Sequence, residues 1–75
     1  MDLETLKKAE RLNSELEIVR IMWSRMFTHR DHRWSLRFPG DDSVDIDADA
    51  STLRNNLLQA VESAEDEILK KIGEL

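Results

Sequence analysis

RWSLRFPGDDSVDIDA, residues 33–48, decides the fold, because its apolar residues fall on every second position. Trp34, Leu36 and Phe38 alternate with Arg33, Ser35 and Arg37, and Val44, Ile46 and Ala48 alternate with Asp45 and Asp47. A period of two places one set on each face of an extended strand. Between the two runs, Pro39-Gly40 suits the central positions of a type II turn, and Asp41, Asp42 and Ser43 complete a loop of about five residues. The segment therefore predicts a β-hairpin over about 33–48. Pairing Phe38 with Val44 sets Leu36 opposite Ile46, Arg37 opposite Asp45 and Ser35 opposite Asp47. In that register the apolar and charged faces agree.

On either side of the hairpin the period changes to that of a helix. Leu12, Leu16, Val19, Trp23 and Met26 recur at alternating spacings of four and three, the seam of a coiled coil, within a helix expected over about 2–29. Asp2 is its expected N-cap, Glu4 lies in the first turn where a carboxylate favours the dipole, and Glu4 to Lys8 is a supportive i,i+4 pair. Ile18, Ile21, Met22 and Phe27 widen the stripe on both flanks, so this helix is expected to touch more than one neighbour. A second helix is expected over about 50–73, capped by Asp49 or Ser51. Its apolar positions Leu53, Leu57, Val61, Ala64, Ile68, Ile72 and Leu75 average about 3.67 residues apart, a straight-helix spacing. Lys70 and Lys71 suit the last turns, and Gly73 suits a C-terminal cap. The expected fold is mainly α with a short β-hairpin (α+β), a single domain over 1–75. Two long antiparallel helices, roughly 40 and 35 Å in length, flank a two-stranded hairpin.

A chain of 75 residues is near the lower limit for one hydrophobic core, and without cysteine it has no disulfide, thiolate zinc or redox site to help. The apolar strand face needs a cover, available from Met22, Met26, Phe27, Leu57 and Leu58 of the same or a second chain, and an isolated hairpin is marginal in water. A homo-oligomer, dimer or higher, follows as the expectation. Its helices form a bundle, with Leu12, Leu16, Val19, Trp23 and Met26 as the interface between subunits. The acidic start Met1-Asp2-Leu3-Glu4 is unlike a signal peptide, and no apolar run approaches a membrane span of about 20 residues. A soluble, cytoplasmic protein is expected.

The net charge of −5 is unevenly spread. Residues 1–40 hold eight Lys/Arg against six Asp/Glu, and residues 41–75 hold three against ten. The acidic half could face a basic protein, although charge runs usually mark a solvated surface. His29, Asp31 and His32 cluster in one loop, and Asp45, Asp47 and Asp49 alternate in another. The second run fails the calcium-loop pattern, with Ala50 where glycine is needed and Asn56 where a bidentate glutamate is needed, so no metal site is expected. No nucleophile constellation or phosphate-binding glycine loop is present, and no enzyme activity and no cofactor are expected. Residues 20–38 hold Arg20, Arg25, Arg30, Arg33 and Arg37 together with all the aromatics, Trp23, Phe27, Trp34 and Phe38. Guanidinium groups among aromatics can bind phosphates and stack bases, making Arg20, Arg25, Arg33, Trp34 and Arg37 the candidate partner or anion-binding residues. Packing of those aromatics in the core, with the arginines paired to the acidic strand, is the competing explanation and the stronger one.

The order of a leading "LKKAERLNSELE" helix, a "RWSLRF-PGDDS-VDID" hairpin and a closing "LLQAVESAEDEILKKIGEL" helix resembles small phage or mobile-element accessory proteins of helix–hairpin–helix form. The resemblance covers the whole chain in architecture and carries no diagnostic motif. It implies a non-catalytic binder, such as an anti-defence protein directed at a host protein or protein–nucleic-acid complex, acting in the cytoplasm of the host cell. The residues alone leave a binder of an anionic nucleotide or single-stranded nucleic acid as the alternative.

Overall fold

Helix α1 runs Leu3–Thr28 in the computed structural model, which describes residues 2–75; Met1 of the N-terminal segment lies outside the described residues. As expected, Asp2 caps it: the carboxylate accepts a hydrogen bond from the Thr5 backbone N–H at 2.7 Å. That bond, with help from the Thr5 side chain and then Lys8 and against an opposing desolvation, holds the Asp2 pKa below the ordinary aspartate value. A depressed pKa contributes stability that is present above the unfolded-state value and lost as pH falls through the folded one. Asp2→Ala should therefore speed amide exchange at Thr5 at neutral pH and flatten the acid side of the stability profile. Unchanged exchange at Thr5 would contradict the cap.

Helix α2 runs Ser51–Gly73. Its N-cap is Ala50, with no side-chain cap bond, in place of the expected Asp49 or Ser51. The reason is the tight backbone turn leaving the hairpin, in which Ala50 N–H donates to Asp47 O at 3.1 Å and Ser51 N–H to Asp49 O at 2.8 Å. The helix then opens with Arg54 N–H donating to Ala50 O at 3.0 Å. At the other end Gly73 is still helical and Glu74 is the C-cap, in right-handed geometry with φ −87°, so glycine is not used as a left-handed cap. Lys70 and Lys71 lie in the last turn as expected.

The two helices are antiparallel, because residue numbers on α2 fall as those on α1 rise: Arg20 meets Glu65 and Trp23 meets Glu62. Their shared core is small. Leu16 and Val19 of α1 are buried against Val61 and Ile68 of α2, with Leu12, Met26, Ala64 and Ile72 packed at the margins. The seam expected to join subunits thus has α2 of its own chain as its partner, with Trp23, 38 % exposed, at its edge. A single apolar stripe fits either arrangement, and the short hairpin link is what brings the second helix back onto the first.

Strands β1 (Trp34–Phe38) and β2 (Asp42–Ile46) pair antiparallel. The register differs from the expected one by two residues: Trp34 faces Ile46, Leu36 faces Val44, Arg37 faces Ser43 and Phe38 faces Asp42. The cause lies at the turn. Gly40 takes φ 83°, as the third position of a type II turn requires, and Asp41 also enters the left-handed region at φ 60°. Aspartate is among the few side chains that tolerate this conformation, and it closes the loop after three residues instead of five. A shift of two preserves the faces, so Trp34, Leu36, Phe38, Val44 and Ile46 remain on one side. It does deprive Phe38 of an apolar partner across the ladder.

Candidate interaction surface

The hairpin is fastened to the helices by one side chain, Arg54, which is 5 % exposed in the first turns of α2. Its Nη1 donates to the carbonyl of His32 at 2.7 Å and, at the limit of bonding distance, to that of Asp47 at 3.5 Å. Its Nη2 donates to the carbonyl of Arg30 at 2.5 Å. The guanidinium carbon also lies 3.7 Å from the centre of the Trp34 ring, a close cation–π contact. The fork geometry of arginine lets a single group satisfy carbonyls on both sides of the hairpin while its flat face rests on the indole. Trp34 Nε1 adds a bond to the His29 carbonyl at 3.0 Å. The segment leaving α1, the first strand and the turn into α2 therefore converge on one cation.

Beside this clamp is an open groove of about 480 Å³. One wall is α1 and its C-cap, through Ile21, Met22, Arg25 and His29; the other is the hairpin, through Trp34 and Leu36. Met26, Ile46, Leu57 and Val61 add apolar lining, His32, Arg33 and Ser35 add polar lining, and no carboxylate is among the groups that form it. The apolar surface does not stop at the groove. Beyond it Phe38 and Val44 are each about half exposed on the hairpin, and Ile18 is exposed on α1. Among the described residues five large hydrophobics are buried and thirteen are exposed, and most of the exposed ones lie outside the stripes that the two helices cover between them.

Of the candidate anion-binding residues, this fold brings Arg25, Arg33 and Trp34 to the groove and leaves Arg20 and Arg37 outside its lining. Arg20 pairs with Glu65 at 3.2 Å, on the α1–α2 surface beside Trp23. Arg33 pairs with Asp47 at 3.2 Å and Asp45 at 3.8 Å, the arginine-to-acidic-strand contact expected from the sequence, with Arg33 in the place of Arg37. Arg25, Arg33 and Trp34 line the same groove, but one face of the Trp34 ring carries Arg54. Of the other aromatics, Trp23 stacks on Phe27 with ring centres 5.1 Å apart, and Arg30 lies over the Phe27 ring. His29 and His32 have ring centres 5.5 Å apart. Among the described residues no cluster of three or more His, Cys, Asp or Glu side chains is placed to hold a metal ion.

Compared with known proteins, the chain matches no family model, no curated protein and no solved structure.

Proposed function

We propose that this chain is a non-enzymatic, oligomeric interaction protein whose chemistry is surface complementarity. One observation carries the reading: among the described residues ten large hydrophobics are exposed along α1 and the hairpin, against five buried in the whole fold. Exposed apolar patches of that extent on a small protein mark association surfaces. No helix among the described residues is long and apolar enough to cross a membrane, so a lipid span is not what covers this surface. The resemblance to phage or mobile-element accessory proteins extends the proposal to a macromolecular target in the cytoplasm of a host cell, with anti-defence as the class of role. Affinity capture from that host with the intact protein as bait, repeated with Met22→Glu, tests it. A host protein or protein–nucleic-acid complex retained by the parent and lost by the variant supports the proposal. Retention equal for both would remove the exposed face as the binding surface.

A second reading, binding of an anionic nucleotide or single-stranded nucleic acid, is favoured by Arg25 and Arg33 lining one groove with Trp34. The engagement of Arg33 by two aspartates and of Trp34 by Arg54 weighs against it. A ligand that binds only the folded form raises the melting midpoint. The expected result with a panel of nucleotides and short oligonucleotides at millimolar concentration is no shift. A salt-sensitive rise of several degrees would install the second reading in place of the first.

A further inference from the structure

Resting on the oligomeric reading above, we propose that the assembly is a two-fold dimer in which the hairpin tip of each copy occupies the groove of the other. The first argument is area. The chain exposes 6208 Å² for a mass of 8.8 kDa, where a folded monomer of that mass exposes about 4,800 Å². The excess, about 1,400 Å² per chain, amounts across a pair to the area of an obligate homodimer interface. The radius of gyration agrees: it is 15.3 Å, against about 11 Å for a compact domain of this length.

The second argument is fit between two surfaces that the same chain carries. The groove is mainly apolar; Arg25 and Arg33 line it and no carboxylate does, and of the two Arg33 is held by Asp45 and Asp47 while Arg25 has no ion pair among the described residues. The hairpin tip is its complement. Phe38 and Val44 are 48 % and 51 % exposed there, and Asp42 sits directly across the ladder from Phe38. An apolar pair beside an aspartate matches an apolar slot beside an arginine. Because tip and groove belong to every copy, the contact is made twice about a two-fold axis and closes, as isologous interfaces do. The five-residue strands span about 17 Å, and Phe38, Asp42 and Val44 lie outside the lining of their own chain's groove.

The test is sedimentation equilibrium on the full chain and on charge-swapped variants, with helicity checked by circular dichroism. The parent should sediment at twice 8.8 kDa. Arg25→Glu and Asp42→Lys should each raise the dimer dissociation constant about tenfold or more, and the combined variant should recover most of the loss. Leu69→Glu, at an exposed α2 position outside the groove lining, should leave the mass unchanged. A parent that is monomeric at every concentration overturns both this inference and the reading beneath it. A dimer indifferent to both charge swaps, a double variant no better than the singles, or a mass above the dimer overturns the tip-in-groove arrangement alone.

Discussion

Replacing Arg54 with alanine should release the hairpin from the helical pair, at a cost of about 3–5 kcal/mol to its docking. Two of its hydrogen bonds, to the His32 and Arg30 carbonyls, are short and charge-assisted, and bonds of that kind contribute about 1.5–3 kcal/mol each. The Trp34 contact at 3.7 Å adds to them. The remaining attachment is slight: Ile46 is the one strand residue buried among those described, and Trp34 reaches the His29 carbonyl. The loss should be local. Hydrogen exchange on Arg54→Ala should find the amides of β1 and β2 unprotected while those of α1 and α2 around Leu16, Val61 and Ile68 stay slow. Arg54→Lys should recover little, since an ammonium cannot fork between carbonyls or lie flat on an indole. Hairpin amides as protected in Arg54→Ala as in the parent would show that the clamp is dispensable.

The second large effect is expected at Ile68, the most buried side chain of the core at 4 % exposure. Ile68→Ala deletes packing against the only three other buried residues of its cluster, which leaves few neighbours able to collapse into the space. A loss of about 3 kcal/mol follows from comparable core truncations. In a domain of this size that lowers the melting midpoint by about 15 °C or more. Leu69→Ala, one residue along and 42 % exposed, should move it within the range of surface substitutions, about 0.5 kcal/mol. Similar losses at the two positions would mean that the α1–α2 contact is not the core.

Much of this architecture was legible because it rests on periodicity. The switch from spacings of three and four to a spacing of two, and back, places both helices and the hairpin to within a residue or two, and Asp2 announces its cap by residue type. The register was not legible, because it turns on the backbone of a single residue: whether Asp41 adopts φ 60° decides between a three- and a five-residue loop, and both keep the same faces apolar. The cap of α2 was likewise set by the turn that precedes it and not by side-chain preference. A stripe such as Leu12, Leu16, Val19, Trp23 and Met26 states that it will be covered without stating by which helix. Arg54 could have been noticed. It lies seven residues before Val61 and fourteen before Ile68, on the buried face of α2, and an arginine in that position needs acceptors that only an irregular segment nearby can offer. Of the candidate anion residues, Arg25, Arg33 and Trp34 meet at one groove, while Glu65 draws Arg20 away and Asp45 and Asp47 engage Arg33.

The proposed association rests on the thirteen large hydrophobics that are exposed among the described residues, which a second copy would cover. Thermal unfolding across a wide dilution series, followed together with mass by light scattering, tests this most directly. Self-association coupled to stability predicts a midpoint that climbs with protein concentration and a mass of at least twice 8.8 kDa. A sharp, concentration-independent transition from a species of 8.8 kDa would contradict it.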